Sequence, residues 1–315
     1  MEIAHGLAEG PPRTEGPEAA ITIGSFDGVH RGHSAIVDTV VSAAREREGE
    51  TVVITFDPHP RCVLTPDRCP TLLTTLVEKA RLLGEAGVDV LQVLRFDLEM
   101  SRWPAAHFCD RLLATHRVRC LVVGHDFALG HNREGNVEFL RAYGATHGFE
   151  VRTVDALMEG EAPVSSSRIR AALVDGDVAT AARLLGRPYE VNGRVERGAG
   201  VGHDLGFPTA NLAVDAGSTL PGLGIYACWA KARGAWHMSA TSVGTRPTFG
   251  GKDVIVEPHL LEFDGDLYGE EVRCAFVSRL RDEETYPDAE SLAQQIARDV
   301  EATRSALAEV PPPRG

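Results

Sequence analysis

Residues 25–33 read SFDGVHRGH. They follow an apolar run, AAITIG (19–24), and lead into SAIVDTVVSAAREREG (34–49), whose apolar residues recur at helical spacing. Four further apolar runs, TVVITF (51–56), VDVLQVLRF (88–96), RCLVVG (119–124) and FEVRTV (149–154), read as strands. The amphipathic stretches TLVEKARLLGEAG (75–87) and PAAHFCDRLLATHR (104–117) lie between them. Strands that are apolar throughout are buried on both faces. Residues 19–186 therefore predict an α/β unit, a parallel sheet with helices on both faces. Ligands in such folds bind beyond the carboxyl ends of the strands. SFDGVHRGH, FDPHP (56–60) and GHDFALGHNREGN (124–136) fall at those ends.

The quoted turn carries its own chemistry. His30 and His33 are three residues apart, a spacing that puts both on one face of a helix. Gly32 removes a side chain where a ligand could approach. A helix N-terminus adds unbonded N–H groups and partial positive charge, a seat for phosphate. A bare H-x-G-H is short enough to arise by chance, but directly between a strand and a helix the phosphate reading is favoured. A second segment, PVSSSRIRAAL (163–173), places three serines ahead of Arg168 and Arg170. Serines cap helices, but two arginines at a helix start oppose the macrodipole and call for an anion.

The chain has 315 residues, which suggests two domains. Hydrophobic residues make up 43% and charged residues 24%, the balance of a soluble globular protein. The first twenty residues lack the basic start and apolar centre of a signal peptide, and no run is long enough to span a bilayer. A cytoplasmic protein with no membrane partner is expected. Six scattered cysteines without a C-x-x-C pair argue against a zinc site and against a disulfide framework. A net charge of −13 speaks against non-specific nucleic-acid binding and leaves small-molecule substrates, with a homo-oligomer left open.

After residue 186 the rhythm changes to glycines and short strand-like runs, including GIYACWAKARGAWHMSATSVG, VIVEPHLLEF and EVRCAFVSRLR. This predicts a small antiparallel β-barrel closed by one helix, about 288–307, with Leu292, Ile296, Val300 and Leu307 on one face. The boundary falls near Arg187–Pro188, giving domains 1–186 and 187–315. In LGFPTANL (205–212), Thr209 and Asn211 point to the same side of an extended segment and offer neutral oxygens suited to Mg²⁺ beside phosphates. Alone, such a pair is usually just a polar strand face. GLGIYA (222–227) matches a loose dinucleotide pattern but leads into a strand, and no Walker A loop is present.

With GSFDGVHRGH and SSSRIR as its two phosphate motifs, the first half resembles the HxGH nucleotidylyltransferase superfamily, a Rossmann-like fold. Together with TFDPHP and VVGHDFALGHNREGN it resembles the FMN adenylyltransferase module of bacterial bifunctional riboflavin kinase/FAD synthetases. The second half, through LGFPTANL, GIYA, SVGTRPTFGG (242–251) and VEPHLLEFDGDLYGEEV (256–272), resembles the flavokinase domain. The resemblance implies ATP and Mg²⁺ as co-reactants, and riboflavin, FMN and FAD as substrates or products. It assigns His30, His33 and Arg170 to adenylyl transfer, with Gly24, Ser25, Phe26, Asp27, Gly32, Ser166, Ser167 and Arg168 around ATP. The flavin would lie near Phe56, Pro58, His59, Pro60, Asp126 and Phe127. For the kinase it assigns Glu257 as the base, Thr209 and Asn211 to Mg²⁺ and phosphates, and Gly193, Gly198 and Gly200 to a loop over the nucleotide. Ala128, Val201 and Pro258 depart from residues usual at those places.

The two reactions ask for different residues. A ribityl hydroxyl is a poor nucleophile and benefits from a carboxylate base. The phosphate of FMN is already largely ionised, so adenylyl transfer needs charge stabilisation rather than a base. Competing readings are an aminoacyl-tRNA synthetase, a different nucleotidylyltransferase, a chain retaining one of the two activities, and a flavin- or nucleotide-binding regulatory protein. The first would need a lysine-rich second motif in place of SSSRIR.

Overall fold

The computed structural model describes residues 1–197, 206–248 and 251–313. The chain divides into two units, Met1–Ser166 and Ser167–Gly315. In the first, the run Ala19–Ile23 is buried throughout, as a strand covered on both faces must be. It lies in β2 (Glu18–Ile23), within a six-stranded sheet with β1 (Glu2–His5), β3 (Glu50–Phe56), β4 (Val90–Leu94), β5 (Arg117–Gly124) and β6 (Glu150–Val154). The order is β1-β4-β3-β2-β5-β6 and every pairing is parallel. The chain steps from β2 outward to β4 and returns to place β5 on the other side of β2. The order reverses there, which opens a crevice at the strands' carboxyl ends.

The helices α1 (Arg31–Arg45), α2 (Pro60–Leu64), α3 (Leu76–Glu85), α4 (Ala105–Thr115) and α5 (Val137–His147) connect these strands. Alternate residues of the strands feed two cores. Ile21, Val52, Ile54, Leu121 and Val123 pack with Phe108, Leu112 and Leu140 of α4 and α5. Val53, Leu91 and Val93 pack with Val37, Val41 and Leu83 of α1 and α3. Strand β1 escapes sequence reading because it has only four residues, EIAH, at a sheet edge. At the other edge, β6 carries Glu150 and Arg152, linked to the end of α1 by Arg47–Glu150 (2.7 Å) and Arg152–Glu46 (2.8 Å).

The second unit starts with α6 (Ser166–Val174), whose first residue closes the first unit, and α7 (Val178–Leu185). Six strands then form a closed barrel: β7 (Tyr189–Glu196), β8 (Asn211–Ala213), β9 (Gly224–Ala232), β10 (Ala235–Thr248), β11 (Gly251–Leu260) and β12 (Glu271–Arg281), ordered β7-β8-β11-β10-β9-β12. Along β7, Tyr189, Val191, Gly193 and Val195 are buried while Arg194 and Glu196 are exposed, the period of two expected of a barrel wall. A final helix, α8 (Ala289–Leu307), is capped by Asp288, which accepts the Ser291 N–H at 2.8 Å.

The buried positions of α8 are Asp299, Thr303 and Leu307, so its inner face is more polar than the apolar stripe predicts. The reason is Arg281 on β12, which donates to both Asp299 carboxylate oxygens at 2.9 and 2.7 Å. The cysteines also depart from expectation. Cys62 and Cys69 form a disulfide because α2 and the turn after it bring their Cα atoms within 4.2 Å. Cys109, Cys120, Cys228 and Cys274 are buried thiols, and burial pushes Cys109 and Cys274 up to about 12.

The Arg281–Asp299 pair generates one prediction. Asp299→Ala leaves a largely buried guanidinium unpaired, a loss of about 3 kcal/mol in urea unfolding of the second unit. A change below about 0.5 kcal/mol would show that the pair does not hold α8.

A second prediction comes from His116, which is 5% exposed and has neither ring nitrogen hydrogen-bonded among the described residues. Burial, then Arg13, lowers its pKa to about 4. The unfolded chain takes up this proton near pH 6.5 and the folded one only near pH 4, so stability falls as pH drops through that window. In His116→Leu the fall should be shallower by up to about 1.4 kcal/mol per pH unit. Denaturant melts at pH 4.5 to 7, roughly spanning that window, measure it, and parallel profiles would remove His116 from the account.

Candidate active sites

Strand β2 ends at Ile23, and the chain turns through Gly24–Val29 into α1. His30 caps the helix rather than lying inside it, its Nδ1 accepting the His33 backbone N–H at 3.2 Å. The two rings still come together, stacked with centroids 3.6 Å apart and planes 14° from parallel. The His33 Nδ1 is buried with no hydrogen-bond partner among the described residues. Burial, then His30, then Lys79 hold the His33 pKa well below the imidazole range, so it is neutral at pH 7. With its Nδ1 accepting, a neutral His30 carries its proton on Nε2. A Cβ on Gly32 would stand 3.2 Å from the His30 ring, which is why glycine suits the position. No acidic side chain occupies the first turn of α1 to offset its positive end.

The turn is strained and braced. Phe26 (φ 46°) and Val29 (φ 39°) adopt left-handed backbone without being glycine. The Asp27 carboxylate accepts the N–H groups of Leu73 (2.9 Å) and Thr74 (3.2 Å), and the Gly28 N–H donates to Thr74 Oγ1 at 3.0 Å. The Ser25 carbonyl accepts from Thr55 Oγ1 (3.1 Å) and from Lys79 Nζ (2.7 Å). Ser166 Oγ donates to the Asp27 carbonyl at 2.9 Å. Among the expected nucleotide contacts, Gly24 and Ser25 thus form the turn and Gly32 lies in the first turn of α1, while the side chains of Phe26 and Asp27, each 2% exposed, face inward and support the turn. Ser167, Arg168 and Arg170 lie on α6 in the second unit, the two arginines half-buried on either side of buried Ile169.

Beside the turn, at the carboxyl ends of the strands, lies a cleft of about 500 Å³ in the first unit. Ile23, Phe56, Pro60, Phe96, Trp103 and Phe127 contribute to its mainly apolar lining, and Phe56 meets Phe96 edge-on at 5.6 Å. Of the residues expected there, Phe56, Pro60 and Phe127 line it, whereas Pro58, His59 and Asp126 do not. His59 instead caps α2, accepting the Arg61 N–H at 3.1 Å, and the Asp126 carbonyl accepts from Arg133 at 2.9 Å. Ala128 lines the cleft with Arg133 nearby on the same wall. Sequence reading missed Phe96, Met100 and Trp103. Their signal was a loop, FDLEMSRW (96–103), with apolar side chains just beyond a strand end.

In the second unit, Ala210 and Leu212 are buried, and Thr209 and Asn211 take the opposite face. Leu212 pairs with Val256, and the Ala210 N–H donates to the Pro258 carbonyl at 2.9 Å. Antiparallel register therefore sets Asn211 opposite Glu257, on the face away from buried Val256 and Pro258. Thr209 also lines a cleft of about 560 Å³ with Val195, Leu260, Phe263 and Asp264. Gly193 lies inside β7, where a Cβ would meet Leu212 and the Ala213 carbonyl at 2.9 Å, so its smallness serves strand packing. Gly198, Gly200 and Val201 lie outside the described residues. No cluster of three or more His, Cys, Asp or Glu suited to a metal occurs among the described residues.

Comparison with known proteins follows the same division. Residues 13–168 match the FAD synthetase family and residues 185–307 the riboflavin kinase family. The bifunctional riboflavin kinase/FMN adenylyltransferase of Escherichia coli K12 is 37% identical over 297 residues, 94% of this chain and 93% of its own. That of Listeria monocytogenes is 35% identical over 292 residues, 92% of this chain and 93% of its own. The crystal structure of a Streptococcus pneumoniae protein named as a macrolide-efflux protein superposes with a TM-score of 0.88 at 29% identity, covering 96% of this chain and 99% of that one. No helix among the described residues is long and apolar enough to cross a membrane. Two family matches in order, and near-full-length relatives sharing 35–37% of residues, place the chain in the bifunctional riboflavin kinase/FMN adenylyltransferase family.

Proposed function

We propose that the chain converts riboflavin to FMN and then FMN to FAD, using ATP in both steps. The observation that supports this most is that each unit holds its own constellation. The first sets two stacked imidazoles at a helix N-terminus beside an apolar, aromatic-rich cleft. The second sets Thr209, Asn211 and Glu257 on one face. We assign adenylylation to residues 1–186 and phosphorylation to residues 187–315. The enzyme acts on small molecules in the cytoplasm, without a nucleic-acid partner.

In the kinase step, Glu257 takes the proton of the ribityl hydroxyl as its oxygen attacks the γ-phosphorus of ATP and ADP leaves. Thr209 and Asn211 would hold Mg²⁺. Their neutral oxygens suit a hard cation that arrives with the nucleotide phosphates. When bound, Mg²⁺ offsets the negative charge of the phosphates. In the second step, the FMN phosphate attacks the α-phosphorus of ATP and pyrophosphate departs. His30 and His33 donate N–H groups to the oxygens that gain charge, and Ser166 offers a hydroxyl to the phosphates; the guanidinium groups of Arg168 and Arg170 are of a type suited to phosphate. Phe56 and Trp103 stack against the flavin ring in the aromatic cleft.

The test is incubation with Mg-ATP and either riboflavin or FMN, with FMN and FAD resolved by chromatography. Both conversions are expected, and absence of either product from the wild type overturns the corresponding assignment. His33→Ala should lower FAD formation by about a hundredfold or more while FMN formation stays within a factor of about two. Equal loss of both activities in a folded variant would sink the division of labour.

Glu257→Gln keeps size and one acceptor oxygen. It should lower kinase kcat by about a hundred- to ten-thousandfold, with little change in KM for riboflavin and none in FMN adenylylation. A kcat close to wild type would shift attention to Asp264 and Asp266, which line the adjoining cleft.

A further inference from the structure

Lys79 has no part in the motifs, yet the turn that carries the histidines rests on it. It lies near the start of α3 and is 8% exposed. Two effects disfavour a cation there. Burial removes water from the ammonium and lowers its pKa, with Asp27 and Asp57 opposing the shift. The N-terminal end of a helix repels positive charge. An apolar side chain of the same length would usually be as stable in such a place. What the lysine does instead is donate to two oxygens, the Ser25 carbonyl at 2.7 Å and Thr55 Oγ1 at 3.1 Å. Thr55 in turn donates to the same carbonyl at 3.1 Å, so two donors converge on one backbone oxygen just before the left-handed residue Phe26.

The residues that precede Lys79 act on the next stretch of the turn. Asp27 accepts from Leu73 and Thr74, and Thr74 accepts from Gly28. The segment 73–79 therefore clamps residues 25–28 from below at several points. Backbone in this strained region persists only where its surroundings over-determine it.

We propose that Lys79 is a positioning residue for adenylyl transfer, its ammonium fixing the Ser25 carbonyl and with it the turn that presents His30 and His33. The inference rests on the assignment of FMN adenylylation to this unit. A second effect follows from the same placement: the ammonium field adds to burial and to His30 in keeping His33 unprotonated. The charged groups acting on Lys79 and His33 from the surrounding elements are Asp27 in the turn, Asp57 after β3, and His30 at the cap.

The test uses Lys79→Met in the full chain, which keeps the stem and removes the ammonium. Expected is a fall in kcat for FAD formation of about a hundredfold, the effect of a small misplacement of reacting groups. KM for FMN should change little, because the aromatic cleft is untouched. The acid limb of the pH–rate profile should move up by about one pH unit, because His33 loses a neighbouring positive charge. Riboflavin kinase activity should be unchanged. A kcat within threefold of wild type (roughly 0.7 kcal/mol) overturns the proposal, and so does an unmoved acid limb, which marks a purely structural role. If wild-type protein makes no FAD, the failure belongs to the assignment and not to Lys79. Should Lys79→Met lose its folded circular dichroism, Thr55→Val removes one of the two donors to Ser25 and keeps the side chain's shape. It should lower kcat about fivefold, the equivalent of one buried hydrogen bond, and an unchanged kcat overturns the proposal.

Discussion

The backbone at Phe26 and Val29 runs through left-handed conformations without glycine, and the placing of the histidine turn depends on the groups that hold it there. Most of those groups come from β3 and from the segment that opens α3, with Ser166 adding one bond from the second motif. Once the turn is held, His30 can cap α1 and stack on His33, and Gly32 leaves room for the pair. The position of the turn follows in its turn from the sheet order, which reverses beside β2 and leaves its carboxyl end facing an open crevice.

Much of this was legible in the sequence because it depends on local pattern. Unbroken apolar runs such as AAITI require a strand covered on both sides, and the β7 alternation of Tyr189, Val191 and Val195 requires a wall with one buried face. Thr209 and Asn211 were placed on a common side by the period of two alone. What sequence could not supply was pairing at long separation. Lys79 meets Ser25 across 54 residues, and Arg281 meets Asp299 from a different element, so neither partner advertises the other. The disulfide between Cys62 and Cys69 escaped for a different reason: spacing seven apart gives no signature until α2 folds the loop back. In the aromatic cleft, Phe56 and Phe127 sat in conspicuous segments, whereas Trp103 sat in a loop with no motif.

The two constellations differ as their nucleophiles differ. An alcohol benefits from a proton acceptor, the role proposed for the carboxylate of Glu257 on its half-buried barrel face. A phosphate needs no base, and the demand there is for donors to the oxygens that gain charge.

The charged network on β6 bears on how the molecule behaves in a crowd. A barrel closed on itself offers no unpaired strand, but an open sheet has two flanks at which a foreign strand could dock and begin an aggregate. On one flank Glu150 and Arg152 are drawn into a lattice with Glu46 and Arg47, so an incoming chain would have to strip these groups of both solvent and partners. Such exposed pairs add little to folding stability. Charged side chains of this kind make an edge strand a poor template for a further strand.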